Sequence, residues 1–204
     1  MLSNKILVSM LVTTLGMTSA FALEPKNKFY LGADWQTNSL SSIAIGNAFG
    51  NRLHEDLTAV SILGGYRWDH FGVELGRTAF KPVKYYIFGL GTPASSHIRQ
   101  TMRNTYLDGV VYYPLAGDFE LKALVGLGLL STEFNGAGVN INNSGRISLG
   151  SGRTTNSKLG ARLGLGVEYN FHENWSSNLM YKYQQGNDFY KRVDSFALNI
   201  AYHF

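Results

Sequence analysis

Lys158-Leu159-Gly160-Ala161-Arg162-Leu163-Gly164-Leu165-Gly166-Val167-Glu168-Tyr169 decides the fold class. Leu159, Ala161, Leu163, Leu165, Val167 and Tyr169 take every second position, and Lys158, Gly160, Arg162, Gly164, Gly166 and Glu168 fill the places between. Successive side chains of a strand point to opposite faces, so this order separates an apolar face from a face of charges and glycines. A helix, with its 3.6-residue period, would scatter both sets around one cylinder.

The same alternation recurs in both directions from this stretch. Upstream, Phe119, Leu121, Ala123, Val125, Leu127 and Leu129 alternate with Glu120, Lys122, Leu124, Gly126, Gly128 and Leu130. Before them come Leu107, Gly109, Val111 and Tyr113 against Tyr106, Asp108, Val110 and Tyr112, in a less regular segment over 103–113. Phe71, Val73 and Leu75 oppose Gly72, Glu74 and Gly76; Val60, Ile62, Gly64, Tyr66 and Trp68 oppose Ser61, Leu63, Gly65 and Arg67. The first segment sets Phe29, Leu31, Ala33 and Trp35 against Tyr30, Gly32 and Asp34. Downstream, Trp175, Leu179, Tyr181 and Tyr183 precede Phe196, Leu198, Ile200, Tyr202 and Phe204. These are eight segments, several of them close to the 9–11 residues of a tilted membrane strand.

Connections alternate too. Short ones at Asp69-His70, Pro114–Asp118 and Asn170–Asn174 carry turn-forming residues, whereas longer ones are expected over 37–57, 81–99, 132–155 and 185–191. Asn135-Gly136-Ala137-Gly138 and 140–156 are read as an external loop, with a β-hairpin extension or a ligand grip as alternatives. Short turns on one rim and long loops on the other are the pattern of an outer-membrane barrel. The fold predicted is therefore all-β: a transmembrane eight-stranded antiparallel up-and-down β-barrel, closed by pairing residues 28–36 with 193–203. An unpaired edge in hydrocarbon would leave its N–H and C=O groups unsatisfied.

Residues 1–22 read as a secretory signal peptide: Lys5, then an apolar run from Ile6, then Ala20-Phe21-Ala22 with small residues at both inspected positions. A transmembrane anchor is the weaker reading of these 17 residues from Ile6 to Ala22. Removing them leaves 182 residues, 23–204, as one barrel domain. The chain has 23 Gly, 12 Tyr, 12 Phe, only 4 Pro and no Cys, with mean hydropathy of −0.08. Without cysteine there is no disulfide scaffold, zinc-thiolate site or thiol nucleophile. Once Lys5 is gone, 17 basic side chains face 14 acidic ones, too slight and dispersed an excess for nucleic acid.

If the apolar set faces lipid, then Asp34, Arg67, Glu74, Asp108, Glu120, Lys122, Arg162, Glu168 and Lys182 face the lumen. An eight-stranded barrel has room inside only for side chains, so five acids and four bases are expected to meet as a paired polar core. Arg67 and Glu74, joined by the tight turn, are the expected first pair. Glycines in the same register (Gly32, Gly65, Gly72, Gly76, Gly126, Gly128, Gly160, Gly164 and Gly166) leave room for long partners. Most aromatics, Tyr30 included, are assigned to two girdles at the membrane boundaries.

No catalytic, cofactor-binding or metal residue is assigned. His54, His70, His97, His172 and His203 form no i, i+4 pair, and no Gly-x-Ser-x-Gly occurs in residues 23–204. Gly126-Leu127-Gly128 and Gly164-Leu165-Gly166 lie within strand patterns and precede no phosphate-binding helix.

Gly65-Tyr66-Arg67-Trp68-Asp69-His70-Phe71-Gly72-Val73-Glu74-Leu75-Gly76 resembles the second strand, turn and third strand of OmpA-like and opacity-protein barrels. Gly164–Tyr169 with Asn174-Trp175 and Tyr181-Lys182-Tyr183 looks like their sixth and seventh strands, and Leu198–Phe204 is similar to a terminal outer-membrane strand signal. The resemblance implies a Gram-negative outer-membrane location and recognition of Phe204 by the barrel-assembly machinery. It also implies contact with membrane lipid and lipopolysaccharide, and a role in envelope integrity or adhesion, with a host or extracellular ligand on the long loops. The peptidoglycan-binding domain of larger members is not expected after Phe204. A narrow channel and a lipid A-modifying enzyme are the competing functions, the latter without a recognisable His/Ser/Glu set in any one strand.

Overall fold

The computed structural model describes residues 28–42, 54–88, 95–141, 147–188 and 190–204. The expected signal peptide lies outside the described residues. Within them the chain is nine strand segments: β1 (Lys28–Ser42), β2 (His54–Trp68), β3 (Phe71–Phe80), β4 (Val83–Phe88), β5 (Ser95–Pro114), β6 (Phe119–Ile141), β7 (Ile147–His172), β8 (Trp175–Gln185) and β9 (Tyr190–His203). All pairings are antiparallel. β1 closes on β9 from Tyr30↔His203 through Ser41↔Arg192, and β3 pairs with β5, so the sheet closes into a ring along the length of β3.

The ring has eight staves, because β3 and β4 lie end to end along β5. Their register runs from Phe71↔Val111 to Ala79↔Arg103 and resumes at Val83↔Gln100, which places one extra residue between them. Pro82 is the cause: it has no N–H to give the ladder, and strand proline is confined to edges and bulges. The Lys81 amide still donates to the Thr58 carbonyl at 2.9 Å, so β2 holds the break from the other side. The bulge also flips the side-chain parity. Val83, an odd-numbered residue, therefore packs against the inner core although β3 turns its even-numbered residues inward.

At one rim the turns are short. Asp69, with φ of +26°, makes the two-residue link to β3, and Gly117, at φ +60°, serves the β5–β6 turn. β7 runs on to His172, further than the expected turn at Asn170–Asn174 allows. At the other rim the expected loops are largely ladder: β1 reaches Ser42, β5 starts at Ser95, and β6 and β7 stay paired out to Ile141↔Ile147. Their backbones keep the antiparallel register after the apolar alternation has stopped, which is why hydropathy pattern alone ends the strands too early.

The outer face carries a continuous apolar band. Moving away from the short-turn rim, the band's last large apolar residue on successive staves is Trp35, Val60, Leu75, Leu107, Leu129, Leu159, Tyr183 and Phe196. The next outward residue is Thr37, Thr58, Arg77, Thr105, Ser131, Ser157, Gln185 and Asp194 respectively. Leucines such as Leu31, Leu75, Leu127 and Leu165 are uncovered by any part of the chain, as lipid-facing residues must be. Below them the rings of Phe29, Tyr66 and Trp68, of Phe119 and Tyr169, and of Trp175, Tyr202 and Phe204 touch in a girdle at the short-turn rim.

Candidate functional site

The interior is the densest collection of functional groups. All nine predicted lumen charges are buried. Arg67 on β2 donates from both terminal nitrogens to the two carboxylate oxygens of Glu120 on β6, each at 2.7 Å, and from Nε to the Asp69 carbonyl at 2.9 Å. Lys122 Nζ lies 2.5 Å from Glu74 and 3.3 Å from Glu168. Arg162 donates from Nε to Asp108 at 3.0 Å, and Lys182 reaches Asp34 at 2.5 Å. Every cation thus has a carboxylate, and the fifth acid, Glu168, shares Lys122 while Asn178 donates to it at 3.4 Å. Desolvated charges are tolerated only with such partners.

Buried tyrosines fill the space between the ion pairs. Arg67 stacks 4.0 Å from the centre of the Tyr112 ring, and Arg162 stacks 3.9 Å from that of Tyr106. Tyr30 donates to Glu74 at 2.9 Å and lies 3.1 Å, oxygen to oxygen, from Tyr112. Towards the long-loop side the network becomes uncharged: Arg162 donates to Gln184, which exchanges hydrogen bonds with Asn104. Gln36, Ser61 and Thr78 form a further chain. Glycines make these positions possible. A Cβ at Gly65 would overlap the Tyr30 ring, one at Gly76 the Tyr106 ring, and one at Gly128 would lie 2.7 Å from Arg162 Cδ.

Above the charged layer an apolar cluster is interleaved with buried Asn38, Gln100, Thr132 and Ser195. Leu40, Leu57, Ala59, Phe80, Met102, Leu130, Tyr190 and Val193 come from β1, β2, β3, β5, β6 and β9 and form one buried cluster. Sequence reading missed it, because several members fall in segments assigned to loops. The signal was present: Leu40, Phe80 and Met102 all keep the inward parity of their strands.

Two expectations need correction. Arg67 and Glu74 do not pair. In the hairpin Arg67 faces Gly72 and Glu74 faces Gly65, and both charges project inward to strands that are not their neighbours. Tyr30 belongs to no girdle; it is 2% exposed and sits inside the barrel, as its place opposite Phe29 and Leu31 requires.

The long-loop rim is polar outside the band. Arg153 pairs with Glu133 at 2.8 Å, Lys158 with Asp188 at 3.2 Å, and Arg192 with Asp194 at 2.8 Å. Hydrogen bonds from Asn135 and Arg153, with the positive charge of Arg153, hold the Glu133 carboxyl below the ordinary glutamate range. Asn156 and Lys158 do the same for Asp188. Among the described residues no group of three or more His, Cys, Asp or Glu could hold a metal ion.

Solved structures share this architecture. Neisserial surface protein A superposes with a TM-score of 0.54 at 15% identity, over 86% of this chain and 97% of that one. Ail, the attachment invasion locus protein of Yersinia pestis, solved with the heparin analogue sucrose octasulfate, gives 0.56 at 15% identity over 88% and 99%. At such identity the likeness is one of fold. No curated protein matches the chain in sequence. The family model described as outer membrane protein beta-barrel domain matches residues 8–204, a general barrel family with no specific tie to its OmpA-like branch, and the chain belongs to that family.

Proposed function

We propose that this protein is a non-enzymatic surface-interaction barrel of the outer membrane, with a plugged lumen and its working surface on the long-loop rim. What supports the reading is the interior, where four cations and five carboxylates are buried and paired and an apolar cluster lies above them. A barrel so filled has its accessible chemistry outside. β6 and β7 extend that outside: their ladder continues from Ser131↔Ser157 to Ile141↔Ile147, beyond the apolar band. At about 3.3 Å per residue, such a hairpin reaches on the order of 30 Å along the strands.

In this reading a leader cleaved after Ala22 delivers the chain. The assembly machinery engages the strand ending in Phe204, membrane lipid and lipopolysaccharide surround the band, and the long loops face outward as in the OmpA-like and opacity barrels. Ail is named an attachment invasion locus protein, and adhesion through the extended hairpin is the corresponding role here.

The test is made on intact cells. A cysteine at Gly138 should react with a membrane-impermeant maleimide while one at His70 should not, and shortening 133–155 to a tight turn should preserve assembly yet reduce adhesion to host-cell surfaces. Labelling at His70 alone would invert the orientation. Undiminished adhesion after the hairpin is removed would rule out the hairpin as the adhesive surface.

A further inference from the structure

The cations of the long-loop rim are not distributed evenly. Among the described residues, Arg153, Lys158 and Arg192 each lie in a salt bridge with a local carboxylate, and Lys191 on β9 is the one exposed cation of that side that makes none. Arg77 on β3, Lys81 in the bulge, Lys84 on β4, and Arg99 and Arg103 on β5 are all exposed, and none makes a salt bridge among the described residues. These five occupy one sector of the outer wall. Lys84 and Arg99 are direct cross-strand partners, while Arg77 pairs with Thr105, which makes Arg103 its diagonal neighbour. Like charges directly opposite destabilise a ladder, and diagonal neighbours are only about 7–8 Å apart at Cα. Two carboxylates lie nearby. Glu133 is ion-paired with Arg153 and only partly offsets Arg103, its diagonal neighbour, while exposed Asp56 on β2 makes no salt bridge with any of the five.

Height along the barrel identifies the counterion. Arg77 is the first outward residue after Leu75, and Arg103 follows Leu107 and Thr105. Their guanidinium groups therefore leave the wall sideways at the boundary between hydrocarbon and headgroups. We propose that this sector of β3, β4 and β5 binds the phosphate groups of lipid A, the phosphorylated disaccharide anchor of the outer leaflet. Arginine pairs suit phosphate because each guanidinium presents a planar fork of donors to its oxygens. The anion also removes the repulsion between Lys84 and Arg99. Assignment to the outer leaflet rests on the orientation proposed above, which the maleimide experiment tests by itself; phosphate recognition is tested without reference to sidedness.

The mature protein, folded in neutral maltoside micelles, is titrated with bisphosphorylated lipid A and with dephosphorylated lipid A bearing the same acyl chains, and bound lipid is read by native mass spectrometry. The phosphorylated form should bind at least about tenfold more tightly. R77Q/R103Q should lose about that factor, R77K/R103K should lose part of it because lysine keeps the charge without the fork, and K158Q/R192Q should keep all of it, with folding of each confirmed by its heat-modifiable electrophoretic mobility. Equal affinity for the two lipids, an equal loss in K158Q/R192Q, or binding of heparin without binding of lipid A would each overturn the proposal.

Discussion

Arg67 and Glu120 meet through two hydrogen bonds of 2.7 Å although β3 and β5 stand between their strands. The pair is a strut across the barrel, and its chain separation of 53 residues ties the first third of the fold to the middle. Lys182 and Asp34, 148 residues apart, do the same across β9 near the closure of the ring.

Breaking the first strut should be costly. Glu120→Gln leaves the Arg67 guanidinium buried without its carboxylate, and such losses run to about 3–5 kcal/mol. Arg67→Met with Glu120→Leu should recover most of that, because the remaining charge is removed too. Urea unfolding in lipid vesicles measures both; an unchanged midpoint for Glu120→Gln would show that water replaces the partner.

Glu74→Gln should be the milder change. Lys122 keeps Glu168 at 3.3 Å after Glu74 is neutralised, whereas Arg67 has no second carboxylate in a salt bridge. The same urea series should rank Glu74→Gln between the parent and Glu120→Gln, and the reverse order would contradict the pairing described.

Glycines should divide by the face they occupy. Gly76→Ala places a methyl group in the Tyr106 ring, which is pinned by Arg162, and overpacking of this kind costs about 1–3 kcal/mol. Gly109 sits on the outer face, and a Cβ there meets only the Val125 carbonyl at 3.6 Å, so Gly109→Ala should be tolerated. Comparing the two thermal midpoints in one detergent is sufficient.

Outside the membrane band, Glu133 gives a pH dependence of known sign. Its carboxyl is held low, first by the Asn135 hydrogen bond and then by Arg153. The stabilisation is therefore complete above the ordinary glutamate pKa and is lost as pH falls through the lowered one. A carboxyl-carbon NMR titration should find Glu133 below an unperturbed glutamate, with Asn135→Ala and Arg153→Gln each raising it. An unshifted midpoint in the parent would remove the contact.

The residues that reveal the barrel in the sequence are those whose environment changes every second position. Leu163 and Leu165 against Arg162 and Glu168 leave no other reading, and the nine inward charges follow from parity alone. Partner choice is not local: Arg67 passes over Glu74, the carboxylate on the adjoining strand, because the narrow lumen brings β6 as close as the hairpin does. The strand extensions were hidden for another reason. Beyond Leu129 and Leu159 the outward residues turn polar, so Ser131 and Ser157 pair without an apolar alternation to announce it. Pro82 went unread in the sequence, and its consequence, the inward turn of Val83, depends on a register that only the paired strand supplies.

Single-channel recording of the purified protein in planar bilayers tests the plugged lumen most directly. The struts and the apolar cluster of Leu40, Phe80, Met102 and Leu130 predict no steady current from the parent, and brief openings when Met102 and Leu130 are replaced by serine. Stable, discrete conductance steps from the parent protein would mean that the charges line a water-filled path, and the account of a filled barrel would be wrong.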